Sequence, residues 1–213
     1  MSCTEQTRAH RRPRHLVSFL LASYAMWLTG CTTSPSMETR AATDTPSANT
    51  QSLAADEIQR YREAITNLNE NHLDRAEQLL TDIIAQRPEL AGPRVNLALV
   101  QIKSKQLDKA EKTLQLALER NPNMPQAYNL LGYIEKQRGN ILKAKEDFQR
   151  AIEGKPDYAI AHYNLALLDD IYLRDIPGAI QHYKRYLELT GNEDKDTINW
   201  VGELERSLTR GEP

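Results

Sequence analysis

The sequence predicts an all-α protein, a solenoid of four helical hairpins closed by one further amphipathic helix. Three observations point there. Alanine recurs at a spacing of 34 residues at Ala76, Ala110 and Ala144, and Ala179 follows 35 residues later. Proline keeps the same beat at Pro88, Pro122 and Pro156. A second small residue runs in step at Ala64, Ala98, Gly132 and Ala166. A fixed period of this length marks an array of short units, each burying its apolar face against its neighbours.

Composition sets the outer bounds. A chain of 213 residues, 40% hydrophobic and 26% charged, suffices for one such array with extensions and is too short for a large multidomain enzyme. Its 27 Lys and Arg are balanced by 29 Asp and Glu. There is no basic excess to neutralise a row of phosphates, so nucleic acid is not expected as a partner. Cys3 and Cys31 are the only cysteines, so the repeats can hold neither a disulfide framework nor a thiolate metal site.

Residues 1–30 have the layout of an export signal. Arg8, Arg11, Arg12 and Arg14 precede an apolar stretch from Leu16 to Leu28, which ends in Thr29-Gly30-Cys31. A basic region, an apolar region and a small-residue junction, in that order, mark such a signal. The apolar stretch is shorter than the ~20 residues a membrane-spanning helix needs. Taken alone, the segment also fits an ordinary secretory signal or an apolar helix of a core. Leu28-Thr29-Gly30-Cys31, however, is similar to the lipobox of bacterial lipoproteins at all four places. That resemblance implies that Cys31 receives a diacylglycerol and becomes an acylated N-terminus, tying the protein to a membrane through lipid. Several acyl chains on one residue anchor stably where a single chain holds only marginally. Such lipoproteins are kept at the inner membrane by an aspartate after the cysteine. Thr32 stands there, so the resemblance implies a periplasm-facing place on the outer membrane.

Residues 31–52 read as the lipidated cysteine and a tether rich in Thr, Ser, Pro and Ala, without apolar periodicity. Such a segment cannot bury enough surface to offset chain entropy and is expected to be disordered. As a coil it spans roughly 25 Å, at about 5–6 Å times the square root of its length.

Residues 53–190 hold the four repeats, at 57–90, 91–124, 125–158 and 159–190. Counted from Glu57, the small residues fall at positions 8 and 20, where they let the first helix of a hairpin (A) approach the second (B). Position 24 carries Leu80, Leu114, Phe148 and Tyr183, and position 27 carries Ile83, Ala117, Ala151 and Tyr186; these fill the space between helices. Proline at position 32 ends helix B, because it lacks the N–H and restricts the residue before it. Together these positions resemble the tetratricopeptide repeat. Two units depart from the pattern. The first has Arg60 and Glu63 where larger apolar residues are usual, so its A helix should be partly exposed. The fourth has one extra residue within Asp169–Ile180 and ends in Thr190-Gly191 instead of proline. In 191–213, Ile198, Val201, Leu204 and Leu208 form the apolar stripe of a capping helix, where Trp200 is expected to pack, the alternative being that it projects as an anchor for a partner.

In such solenoids the A helices line a concave groove, and positions 2, 5, 9 and 12, with 6 beside them, share one helix face. These are Val95, Asn96, Leu99 and Ile102 in the second repeat, Gln126, Asn129, Tyr133 and Lys136 in the third, and Tyr163, Asn164, Leu167 and Asp170 in the fourth. A carboxamide donates and accepts, so Asn96, Asn129 and Asn164 suit the backbone of a bound peptide or helix. They suit equally well a hydrogen bond between adjacent A helices. The carboxylate clamp of chaperone-binding repeats is not expected, since Tyr61 and Arg62 stand at its first positions and Asn129 and Leu130 at its later ones.

Catalysis is not expected. His72, His162 and His182 form no motif with metal-ligand spacing, and there is no nucleophile elbow and no phosphate loop. No cofactor and no metal are implied. Export signal, lipobox and repeats together resemble pilotin-type lipoproteins that assist pilus or secretion machines. The resemblance implies a scaffold binding a protein partner in its groove; an adaptor for peptidoglycan hydrolases is the alternative.

Overall fold

The computed structural model describes residues 48–211, with side chains from residue 55 onward. The expected signal 1–30, Cys31 and the tether as far as residue 47 lie outside the described residues. Among the described residues nine α-helices follow one another: α1 (Ala48–Asn69), α2 (Leu73–Gln86), α3 (Gly92–Lys103), α4 (Leu107–Arg120), α5 (Pro125–Gln137), α6 (Ile141–Gly154), α7 (Ala159–Leu168), α8 (Ile176–Leu189) and α9 (Lys195–Arg210). A π-helical segment, Asp169–Leu173, continues α7. Four antiparallel pairs, from α1/α2 to α7/α8, make the hairpins, and α9 packs on α8. The A helices α1, α3, α5 and α7 lie side by side, each B helix also touching the next A helix.

One boundary differs from the expectation. Helix α1 starts at Ala48, so residues 48–52 of the expected tether are helical. Ala48–Asp56 contains good helix formers and no glycine or proline to stop a helix propagating outward from the first hairpin.

The recurring small residues are what allow the helices to touch. Ala64, Ala76, Ala98, Ala110, Ala144, Ala166 and Ala179 have no exposed surface, and Leu80, Leu114, Phe148 and Tyr183 are buried beside them. Each large side chain contributes about 1.5–3 kcal/mol of burial, and because every unit touches only its neighbours the total accumulates along the array.

Turn chemistry explains the period. Asn71, Lys105 and Gly139 stand at position 15 with φ of 62°, 61° and 83°. Each left-handed residue lets the following N–H reach back five residues: His72 to Asn67, Gln106 to Gln101 and Asn140 to Glu135, at 2.8, 2.8 and 2.9 Å. In the fourth hairpin the left-handed residue is Arg174, and the bond from Asp175 N–H reaches Asp169 O, six residues back. The extra residue is thus absorbed as a π turn, which keeps α8 in register with the other B helices. Helices α2, α4 and α6 stop at Arg87, Asn121 and Lys155, whose φ lies between −131° and −151° ahead of Pro88, Pro122 and Pro156. Helix α8 ends instead through Gly191 at φ 73°, with Asn192 N–H closing on Leu187 O.

In the cap, Thr197, Val201 and Leu204 are buried, whereas Ile198 and Leu208 of the expected stripe are exposed. The face against α8 follows an i, i+4, i+7 row from Thr197, and Ile198 stands one residue, about 100°, off it. Asp194 fixes the start of α9 by accepting from Thr197 N–H and from Thr197 Oγ1 at 2.7 Å.

Candidate functional site

The groove face is narrower than the helical count implies. Val95 is 7% exposed and packs with Ala98, Leu114 and Ala117 in the core. Asn129 is 4% exposed. Tyr163 is half-buried against the rings of Tyr183 and Tyr186, at centroid distances of 5.7 and 4.9 Å. Position 5 therefore turns inward in all three repeats, because it lies three residues before the buried position 8 and shares its side of the helix. Leu99, Ile102, Tyr133, Lys136 and Leu167 are half-buried along the groove, and Gln126 is exposed. Asp170, expected there, is 9% exposed. The π turn carries it inward, where its Oδ2 accepts from Trp200 Nε1 at 2.8 Å and lies 3.5 Å from the Tyr183 hydroxyl.

The three asparagines join neighbouring A helices. Asn164 Nδ2 donates to Asn129 Oδ1 at 2.9 Å, and Asn96 Nδ2 donates to the Tyr61 hydroxyl. Each bond links residues 35 apart, one repeat to the next. Of the two roles open to these carboxamides, the bond between helices is the one present in the structure.

A second polar seam, not anticipated, runs inside the hairpins between positions 11 and 23. Thr113 Oγ1 donates to Gln101 Oε1 at 2.9 Å in the second repeat. In the third, Glu135 and Asp147 occupy the same two places, and both are buried. Burial opposes ionisation of Glu135, but hydrogen bonds from Lys143 and Asn140 outweigh it and hold its carboxyl below the usual range. Asp147 has no such help. Its Oδ2 is buried without a hydrogen-bond partner. Burial first, then Glu135 and Glu146, push its carboxyl up to about 6 against the pull of Lys143 and Arg150. In the fourth repeat the seam holds Asp169, which pairs with Lys145 at 2.8 Å.

His182 stands at the same seam. Its Nδ1 lies 3.0 Å from Nδ1 of His162, and His162 Nε2 lies 3.1 Å from Pro156 O. A carbonyl only accepts, so His162 carries its proton on Nε2 and its Nδ1 receives the proton of His182. Burial lowers the His182 pKa, and His162 adds to the effect. His72 is exposed beside Glu70. Among the described residues no group of three or more His, Cys, Asp or Glu is placed to hold a metal ion. Among them, too, no helix is long and apolar enough to cross a membrane.

Comparison with known proteins settles the repeat. Residues 67–133 and 125–158 each match the sequence pattern described as tetratricopeptide repeat. The fold is a tetratricopeptide-repeat solenoid. Among solved structures, Pseudomonas aeruginosa PilF superposes with a TM-score of 0.62 at 16% identity, covering 72% of this chain and 70% of that one. The tetratricopeptide protein TTC0263 of Thermus thermophilus gives 0.61 at 19%, covering 72% and 84%. MamA of Desulfovibrio magneticus RS-1 gives 0.53 at 23%, covering 65% and 78%. No curated protein matches the chain in sequence. These tetratricopeptide likenesses concern the fold.

Proposed function

We propose that the protein is a lipid-anchored tetratricopeptide-repeat scaffold of the bacterial envelope that holds a protein partner in its concave groove and assists assembly of a pilus- or secretion-type machine. The observation that carries the binding role is the row Leu99, Ile102, Tyr133 and Leu167, half-buried side chains on adjacent A helices with no element of the described chain laid across them. An apolar row of this kind accepts a helix or an extended segment. The lipid anchor rests on Leu28-Thr29-Gly30-Cys31, and the outer-membrane, periplasm-facing location on Thr32. The pilus or secretion role rests on the pilotin-like layout, with which the fold shared with PilF is compatible. The repeats act here as a binding module, with no chemistry assigned to them.

Two measurements test this. Labelled fatty acid should enter the wild-type chain in a bacterial host and be lost in Cys31→Ala; label in both, or in neither, overturns the anchor. A photo-crosslinking residue at Tyr133 should capture secretin or other envelope-machine subunits in cells, whereas one at the exposed Leu116 of α4 should not. Capture of cell-wall hydrolases at Tyr133 supports the adaptor role instead, and identical products from both positions overturn groove binding.

A further inference from the structure

We propose that the segment held in the groove is acidic, an inference that rests on the groove-binding role above. Positions 2, 6, 9 and 13 follow one another by helical spacing, with 12 beside them. Over the first three repeats the charged residues at these positions are Arg62, Lys103 and Lys136, all of them basic. The chain as a whole carries net charge −2, so this bias is local.

Some cations elsewhere are paired within the chain. Arg75 meets Glu63 at 2.8 Å, Arg138 meets Glu111 at 2.6 Å, and Lys184 meets Glu205 at 2.6 Å. Among the described residues no carboxylate comes within ion-pair distance of Arg62, Lys103 or Lys136. Lys136 is the most telling of the three. It is half-buried, and its ammonium lies 5.3 Å from the centre of the Tyr133 ring. Burial lowers its pKa with no acid among the described residues to offset that. A partly desolvated cation without a counter-ion is unfavourable, and a carboxylate arriving from a partner relieves it.

The three cations sit on three successive A helices, α1, α3 and α5, which lie side by side. Packed helices stand about 8–10 Å apart, so a single terminal carboxylate cannot meet all three. A run of acidic residues along an extended segment or helix can, while its apolar residues cover Leu99, Tyr133 and Leu167.

Random twelve-residue peptides displayed on phage, panned on the immobilised full chain, test this. The enriched pool should be rich in Asp and Glu. On Lys103→Glu/Lys136→Glu the pool should turn basic, and single acidic peptides, made with amidated C-termini, should bind Lys103→Gln/Lys136→Gln about tenfold more weakly. No enrichment, a pool without acidic bias, a bias that survives charge reversal, or binding abolished by amidation overturns the inference. Tyr133→Ser separates this from the groove itself. A pool without acidic bias that still loses affinity on Tyr133→Ser leaves groove binding intact and removes only the acidic partner. Peptides indifferent to Tyr133 remove both. Circular dichroism confirms that each variant retains its helix.

Discussion

Gly132 on α5 lies directly beneath the ring of Phe148 on α6: a Cβ at residue 132 would stand 2.7 Å from both Cδ1 and Cε1 of the ring, and 3.1 Å from the Ala144 carbonyl oxygen. The other hairpins put alanine at this position, opposite Leu80, Leu114 and Tyr183. Phenylalanine and glycine in the third repeat are thus one compensated exchange of volume. Gly132→Ala gains up to about 1 kcal/mol of helix propensity but overpacks the crossing by about 1–3 kcal/mol, so it should lower stability in urea. Phe148→Leu in the same chain should restore it. Equal losses with and without Phe148→Leu would show that the ring does not set the clash.

The pair of Lys145 with Asp169 should be worth far more than surface pairs of similar length. Asp169 is 2% exposed and belongs to the π turn that holds the fourth hairpin in register. Lys145→Ala leaves its carboxylate buried without a counter-ion, at a cost of about 3 kcal/mol. Lys184→Ala, which breaks an exposed pair with Glu205, should cost no more than about 0.5 kcal/mol. Chemical denaturation of the two variants side by side measures the contrast, and similar losses would refute it.

Asp147 makes stability depend on pH in a direction opposite to most carboxylates. Folding raises its pKa from 3.8 to about 6, so between those values the folded chain holds a proton that the unfolded chain releases. Stability from this group is full below about pH 4, falls as the pH rises through the window, and stays low above pH ~6. Asp147→Asn should stabilise by about 2 kcal/mol near pH 8 and by little near pH 4. His182 acts the other way: its lowered pKa removes stability as the pH falls below about 6.5. The difference between wild type and Asp147→Asn isolates the carboxylate, and a difference that does not change with pH would exclude it.

What the sequence displays of this fold is whatever must repeat. Ala76, Ala110 and Ala144 recur because a close helix crossing admits nothing larger, and Pro88, Pro122 and Pro156 because each B helix has to stop at the same length. Features that occur once leave no period to read. The exchange at Gly132 and Phe148 emerges only when positions 8 and 24 are considered together. The contact of His162 with His182 joins positions 4 and 23, which no helical spacing relates. The extra residue of the fourth repeat is visible as a count, yet only backbone hydrogen bonding shows that it becomes a π turn and draws Asp170 inward. On the groove, the count of 5, 9 and 12 puts Val95, Asn129 and Tyr163 on the open face, whereas the small residue at position 8 pulls its neighbour at position 5 into the hairpin.

The bond from Asn164 to Asn129 makes a prediction about how adjacent repeats are joined. Asn129 is 4% exposed and Asn164 half-buried, so Asn129→Ala removes the acceptor while the abandoned amide of Asn164 can still turn towards water. The cost should be about 1 kcal/mol, a net hydrogen bond without a full desolvation penalty. Asn164→Ala should cost more, about 1–3 kcal/mol, because it abandons the buried Oδ1 of Asn129, and the double variant should cost less than the sum of the two, because the second change removes a bond already broken. Hydrogen exchange locates the effect. Protection should fall most in α7, whose hold on α5 this bond provides, and far less in α1. Losses that simply add in the double variant would mean that the two carboxamides act independently, with partners other than each other.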